Sequence, residues 1–490
     1  PLALQAGVLA FRKSDTVKAL FAAWREEWAR FGQMDQAAFL ALCRNEFQRR
    51  SYAMTKDMNM AELVALIQGS AARIAKAMLE SRLQEDPRRD PKEALCRQCQ
   101  GKLRIQERSQ RRAIQTAIGE IEYRRAYGVC DRCGHSGAPL DEVLGIPAFG
   151  PTVEARQKIC HAAAVGRSFD DGPEILKEHG AIAMSAKHVR KLAEEEGAFL
   201  VRRSQDEIEA YRKRPLSAKN PQTPELLVVT TDGGRVQIRN EDHDDRWKED
   251  KIGVIYDAAP NPRVQAEPGS YEGAKANIKT YVASMENWDS FGWMLRVEAE
   301  CRGYSKAKVK LFLADGALHI RELKNLQFPE AVFILDWAHA AGHLANCAKA
   351  LFGDGSLKAQ DWYQTHRTML WEGKGDEIIE ELKKHSHRLG LPEQGGPDSS
   401  PRKVIHQNAY SYFPNNRDAI DYPAFRAKGW PIGSGVAEGA VKQFALRLKG
   451  SEKFWNVSDT GAEEMLALCA LYHSEDGRWD RHWKRRAQPR

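Results

Sequence analysis

The stretch Leu226-Leu227-Val228-Val229-Thr230-Thr231-Asp232-Gly233-Gly234 decides how this chain is read. Six apolar or β-branched residues in a row, without polar alternation, mark a strand buried on both faces of a sheet. An acid directly after such a run, followed by Gly, predicts a carboxylate left open at a strand end where the chain turns away. The same grammar recurs at Val309-Lys310-Leu311-Phe312-Leu313-Ala314-Asp315-Gly316. A third acid, Glu438, stands just inside a helix predicted to open after Pro431-Ile432-Gly433-Ser434-Gly435. Two strand-end acids and one helix-borne acid form a set able to hold two divalent metal ions for phosphoryl transfer.

Outward from the first stretch, residues 235–239 read as a second strand entered through the Gly-Gly turn, and 252–257 as a third. Helical sequence is expected to about Tyr304. Next come the strand at 309–314, a short helix around 319–326, a strand at 331–335 and a helix from near Ala338. Three strands, helix, strand, helix, strand is the order of a ribonuclease-H-like domain, assigned to 219–351 and 423–476. Residues 352–422 are polar and largely helical, with a Gly/Pro/Ser loop at 390–401. They read as an insertion before the final helix.

Upstream, Cys96-Arg97-Gln98-Cys99 and Cys130-Asp131-Arg132-Cys133 bracket two predicted strands, 103–116 and 120–127. Two such knuckles at the ends of a β-hairpin are the pattern of a zinc ribbon, placed here at 91–140. Four thiolates leave no open position for water, so the one zinc ion expected is structural. His135 reads as a surface residue. Cys43, Cys160, Cys301, Cys347 and Cys469 are isolated and read as small buried hydrophobes.

Residues 141–218 are read as helical. Within them a helix through Ile175 and Leu176, a turn at His179-Gly180, and a helix 186–196 capped by Ser185 have the rhythm of a helix-turn-helix. Lys187, Arg190 and Lys191 would decorate its second helix as DNA contacts; plain helix packing is the competing account. Residues 1–90 read as a helical region, with apolar stripes through Leu20, Trp24, Trp28 and Phe31 and again over 59–83.

The chain has 490 residues, enough for several domains, and a net charge of +7. Basic residues concentrate at 96–135, with nine Lys+Arg against four Asp+Glu, and in a basic tail at 477–490. Such patches suit a phosphate backbone, though alone they equally fit a solvated surface. No apolar run is long enough for a transmembrane helix, and no export signal is read. Together with unpaired cysteines, this points to a reducing cytoplasm.

Four blocks resemble a known family: Thr230-Thr231-Asp232-Gly233-Gly234, Leu313-Ala314-Asp315-Gly316-Ala317, Ile334-Leu335-Asp336-Trp337-Ala338-His339 and Pro431–Gly439 around Glu438. They are similar to the DDE transposases of bacterial insertion sequences, in the ISKra-type branch related to the eukaryotic Mutator-like enzymes. The ribbon, the run from Ala462 and Arg478-Trp479-Asp480-Arg481-His482-Trp483 fit the same group. The likeness spans about 390 residues from Cys96 onward.

This resemblance implies an α/β multidomain transposase that binds the terminal inverted repeats of its element, cuts the DNA and joins the ends. Asp232 would bridge two Mg²⁺ or Mn²⁺ ions, with Asp315 and Glu438 completing one site each. Asp336 and His339 would be accessory. Lys442 and Lys449, on the helix of Glu438, would line the DNA phosphates; a Glu438–Lys442 ion pair is the plainer alternative. DNA ends, a target duplex and further copies of the chain are the implied partners, with the bacterial nucleoid as the place of action. A domesticated DNA-binding descendant without transposition is the alternative. Asp244, Asp245 and Asp257 are read as structural or surface carboxylates.

Overall fold

Two stretches of chain carry enough uninterrupted apolar or alternating sequence to build sheets, and each does so in its own compact unit. The computed structural model describes residues 59–179, 182–214, 223–239, 246–262, 267–268, 270–271, 273–450, 453–456 and 460–488. The expected stripe from Leu20 to Phe31, and Cys43, lie outside them. One unit comprises residues up to 158, with 173–184 and 485–490; the other comprises 159–172 and 185–484. The region 141–218, expected as one helical module, is therefore divided between the two.

In the first unit, helix α1 (Met60–Glu85) starts at Asn59. The Asn59 side chain accepts from the Glu62 N–H while Glu62 reaches back to the Asn59 N–H, a reciprocal cap. Strands β1 (Leu103–Thr116) and β2 (Gly119–Cys130) pair antiparallel from Leu103 opposite Cys130 to Thr116 opposite Gly119. The short strand β3 (Ser136–Gly137) adds to β2. Ile114, Ile121 and Tyr123 of the hairpin form a core with Leu83 of α1 and Leu140 of helix α2 (Pro139–Leu144).

That core holds one buried acid. Asp141 takes the Tyr123 hydroxyl at 2.5 Å, Arg125 Nε at 2.8 Å and Arg112 Nη1 at 3.0 Å. Removing it leaves two guanidinium groups and a phenol without their acceptor. Asp141→Ala is expected to cost about 3–5 kcal/mol. The check is a chemical denaturation curve of the protein, in which an unchanged midpoint would contradict this role.

Helices α3 (Val153–Val165) and α4 (Asp171–His179) straddle the boundary between units. Helix α5 (Ala186–Lys213) does start at Ser185, whose side chain accepts from the His188 N–H. It runs well past the expected 186–196. Its apolar side, including Val189, Leu192 and Ala193, is buried. A Cβ on Gly197 would lie 2.3 Å from the Glu464 carbonyl oxygen, so α5 meets a later helix backbone to backbone. This half of the expected helix-turn-helix is a core element of the second unit.

The second unit is built on a sheet in the order β6-β5-β4-β7-β8. Strands β4 (Leu226–Arg239), β5 (Trp247–Ala259) and β6 (Lys275–Ser284) run antiparallel to their neighbours. Strands β7 (Val309–Ala314) and β8 (Val332–Leu335) continue parallel to β4. Leu226 to Val229 are wholly buried, as a central strand requires.

Two strand readings are corrected. Asp232-Gly233-Gly234 is not a turn: β4 runs through it, with Asp232 opposite Ile252 and Gly234 opposite Asp250. The glycines make room, because a Cβ on Gly234 would lie 2.0 Å from Lys449 Nζ and 2.8 Å from Asp250 Oδ1. The third antiparallel strand is Lys275–Ser284, expected to be helical. It is an edge strand whose outer half is largely polar and exposed, which hid the Thr280-Tyr281-Val282 signal.

Helix α6 (Trp288–Cys301) covers one sheet face, with Leu295 and Phe291 over Gly253. Helix α7 (Leu318–Gln327) joins β7 to β8, and α8 (Trp337–Phe352) follows β8. The region 352–422 is helical as expected, through α9 (Leu357–Trp371), α10 (Gly375–Leu389), α11 (Pro401–Gln407), a π-helical turn at Asn408–Tyr412 and α12 (Tyr422–Ala427). Helix α13 (Gly435–Leu448) packs on β4 and β5. The short strand β9 (Trp455–Asn456), α14 (Gly461–His473) and α15 (Arg478–Ala487) complete the unit. Cys160, Cys301, Cys347 and Cys469 are buried. Among the described residues no helix is long and apolar enough to cross a membrane.

Candidate functional site

Register alone brings three aspartates into a row. Thr230 pairs with Leu313, and Ala314 with Leu335, in parallel strands. Stepping past those pairs places Asp232 level with Asp315, and Asp315 level with Asp336. Side chains alternate along a strand, so level residues on parallel neighbours share a face, spaced by roughly 5 Å. Asp232 also shares the face of Gly234 and Asp250, on which Lys449 at the end of α13 lies.

The three differ in what their oxygens already do. Asp336 is 1% exposed. Its Oδ1 accepts from the His339 N–H at 2.7 Å, capping α8, and its Oδ2 accepts from the Ser434 N–H. Its backbone N–H reaches the Ala314 carbonyl at 2.8 Å, and the Trp337 N–H reaches Ile432 O at 2.8 Å. Asp336 is thus the joint between the strand of Asp315 and the loop that delivers Glu438, buried and with each oxygen engaged by a backbone N–H.

Asp232 and Asp315 remain open. Each takes one neighbouring backbone N–H on Oδ1, from Gly233 at 2.7 Å and Ala317 at 2.9 Å. Among the described residues no donor reaches the second oxygen of either. Gly316, at φ +74°, makes the turn that the sequence predicts after Asp315.

Glu438 lies in the first turn of α13, partly exposed, with Lys442 Nζ 3.9 Å away. Burial raises the Asp232 carboxyl above its ordinary range; the Gly233 N–H opposes this, Asp315 adds to it, His339 opposes it and Glu438 adds to it. The Asp232 carboxyl thus feels the charges of Asp315, Glu438 and the exposed His339. Such a cluster of carboxylates fits a hard, oxygen-seeking cation such as Mg²⁺ or Mn²⁺. Their oxygens do not close into one tight group: among the described residues, only four cysteines bring their ligand atoms within 4.8 Å of one another.

Those cysteines are the predicted Cys96, Cys99, Cys130 and Cys133. The two knuckles have matching backbones. Gln100 N–H donates to Cys96 O and Gly134 N–H to Cys130 O, while Cys96 N–H donates to Gly101 O and Cys130 N–H to His135 O. Gln100 and Gly134, each just after its second cysteine, both take positive φ. Sulfur pairs lie at 3.6 Å (Cys96–Cys133) and 3.4 Å (Cys99–Cys130). Tetrahedral zinc with Zn–S of about 2.3 Å needs S···S of about 3.8 Å, so the cluster could hold zinc. Backbone N–H groups of Cys133 and Arg132 help hold the Cys130 thiol down to about 6, toward the thiolate a metal needs. His135 is not a ligand; it meets Glu142 at 3.0 Å.

The remaining sequence candidates are placed less favourably. Lys449 is committed to the wholly buried Asp250, at 3.2 Å, and so is not free to line DNA. Burial still raises the Asp250 carboxyl. Lys442 is exposed and paired only loosely with Glu438. Arg190 and Lys191 make helical pairs with Glu194 at 2.7 Å and Glu195 at 4.0 Å; Lys187 is exposed. Asp257 is structural, bound to Arg302 at 2.6 Å.

Sequence reading missed the wall beside Asp315. His343, one turn after His339, stacks on Tyr412 with centroids 3.5 Å apart and 8° between planes. Its Nδ1 meets Asn408 Oδ1 at 2.8 Å, and burial lowers its pKa. The i, i+4 spacing of His339 and His343 was the available signal. Nothing in the sequence announced a π-helical turn.

A model of the uncharacterised protein family UPF0236 matches residues 53–351. The chain belongs to this family. The UPF0236 match takes in the ribbon cysteines, Asp232, Asp315, Asp336 and His339 and stops short of Glu438. No curated protein matches this UPF0236 chain. Among solved structures, a chain of the Drosophila P element transposase strand transfer complex is similar at 9% identity and a TM-score of 0.30. The alignment covers 68% of the UPF0236 chain and 95% of the other. Likeness at that level fixes neither fold nor activity.

Proposed function

We propose that this chain is a DNA transposase acting by divalent-metal phosphoryl transfer, of the insertion-sequence type its sequence blocks resemble. The observation that supports the reading is the parallel register of β4 and β7, which carries Asp232 and Asp315 forward to level positions, each with an oxygen that no described donor reaches; Glu438 of α13 would complete the set. The sheet order β6-β5-β4-β7-β8, antiparallel then parallel, supports a ribonuclease-H-like catalytic domain. Asp315 follows the carboxyl end of β7, and Asp232 stands just past the part of β4 that pairs with it in parallel, at the kind of strand end where open α/β sheets bind ligands.

Two divalent cations bound there would neutralise phosphate charge and lower the pKa of an attacking hydroxyl. The chain's own part is to hold carboxylates in place. Asp232 takes the position between Asp315 and Glu438, and Asp336 fixes the strand and loop that carry those two. His339, exposed at the start of α8, offers a polar contact for DNA next to the acids. The four-cysteine ribbon would be the zinc-bound recognition module for element ends, with a second copy of the chain on the paired end.

The test is incubation with labelled DNA from the flanks of the gene, with Mg²⁺ or Mn²⁺. Cuts at defined ends and joined products are expected. Binding without cutting in either metal would instead favour a domesticated DNA-binding protein.

The positioning part of Asp336 is separately testable. Asn at 336 can accept only one of the two N–H groups and turns an amide toward the other. Asp336→Asn is expected to lower stability by about 1–3 kcal/mol and cleavage by about 10–100-fold. A variant with wild-type cleavage would remove Asp336 from the site's support.

A further inference from the structure

Within the region read as an insertion, the π-helical turn Asn408–Tyr412 packs on His343 of α8. Single π turns inside helices recur at functional sites, because the extra residue re-aims side chains. Here the Tyr412 ring is fixed between two partners: His343 stacks on it, and Phe413 meets it edge-on at 5.2 Å and 87°. Its backbone carbonyl accepts from Asn416 Nδ2 at 2.9 Å. The same Asn416 amide approaches Gly316 O at 3.5 Å, and Asn416 Oδ1 takes Arg321 Nη1 at 3.0 Å. Tyr412 is thereby tied to the residue following Asp315.

The Tyr412 hydroxyl is buried, and among the described residues it has no hydrogen-bond partner. A buried hydroxyl left unpaired costs about 1–3 kcal/mol, so it calls for an explanation. Burial, and then the charges of Asp315 and Asp336, hold the phenol protonated, so it can donate. Each Asp336 oxygen already accepts a backbone N–H. Asp315 has one oxygen without a donor, and hydrogen bonds of active sites often close only in the loaded complex.

We propose that Tyr412 is a positioning residue whose hydroxyl donates a hydrogen bond to one lone pair of the free oxygen of Asp315 once a divalent cation occupies the acid cluster, the phenol keeping its proton. The inference rests on the metal-binding reading of that cluster. It gives the insertion a role: its last turns orient one catalytic carboxylate. Tyr and Phe differ here by one hydroxyl that the metal-free protein leaves unpaired, which separates folding from function.

The experiment is Mn²⁺ binding to the full chain, followed by electron paramagnetic resonance, with thermal melting of the metal-free protein alongside. Wild type, Tyr412→Phe and Asp232→Asn are compared. Tyr412→Phe is expected to melt at or above the wild-type temperature and to bind Mn²⁺ about 10-fold or more weakly, as supporting groups of metal ligands do. Equal Mn²⁺ affinity in Tyr412→Phe, with affinity lost in Asp232→Asn, overturns the role of Tyr412 and leaves the acid site standing. Affinity unchanged in Asp232→Asn as well overturns the acid site and the Tyr412 role with it.

Discussion

Asp232→Asn is expected to abolish DNA cleavage, by at least about a thousandfold, while leaving DNA binding near wild type. The expectation follows from the Asp232 carboxyl, half-buried in β4 and raised by burial, with the charges of Asp315 and Glu438 adding to the rise. The amide keeps the shape and the Gly233 contact but removes the charge that divalent cations at the proposed site would need. Asp315→Asn and Glu438→Gln are expected to behave alike, and a variant that cuts normally removes its residue from the site.

Stability should move the other way. The Asp232 carboxyl is raised in the fold, chiefly by burial and then by its acidic neighbours. Its neutral form is therefore favoured in the native state, and stability falls as pH rises from the ordinary carboxylate range through the raised value. Above it the charge is a standing cost in the metal-free protein. Asp232→Asn should thus melt higher than wild type at neutral pH without metal, and Mn²⁺ should stabilise wild type but not the variant.

The second large effect lies in the ribbon. Cys130→Ser is expected to release the zinc and to melt β1 and β2 away from their knuckles. Cys130 is buried, pairs across from Leu103 and belongs to a small core of Ala94, Cys96, Leu103 and Cys130. A core of that size cannot hold a hairpin end alone, whereas structural zinc contributes roughly 10–16 kcal/mol of binding free energy. Chelation should reproduce the effect in wild type. Metal analysis is the check: wild type with less than one zinc per chain, or a serine variant that keeps its zinc, contradicts the ribbon.

Much of this was legible in the sequence because it depended on local rules. The unbroken apolar runs before Asp232 and Asp315 gave central strands, and the knuckle spacing gave the four-cysteine cluster. Ser185 marks a helix start by its side chain alone. What stayed hidden depended on partners distant in sequence. Gly233 and Gly234 look like a turn until Lys449 is seen crossing Gly234 to reach Asp250. Asp336, read only as accessory, shows what it supports once the Ser434 N–H is seen on its second oxygen. Lys449 looks like a phosphate contact for the same reason: its buried acid lies on another strand. Tyr412 carried no signal, because a π turn and a ring stack across the insertion leave no periodic trace.

The most direct test of the acid site is a crystal of the full chain soaked in Mn²⁺, with anomalous scattering recorded at the manganese edge. Two peaks about 4 Å apart among Asp232, Asp315 and Glu438 are the predicted result. The zinc signal at Cys96, Cys99, Cys130 and Cys133, recorded at its own edge, serves as the internal control. Zinc at the ribbon with no manganese beside the three acids would contradict the account.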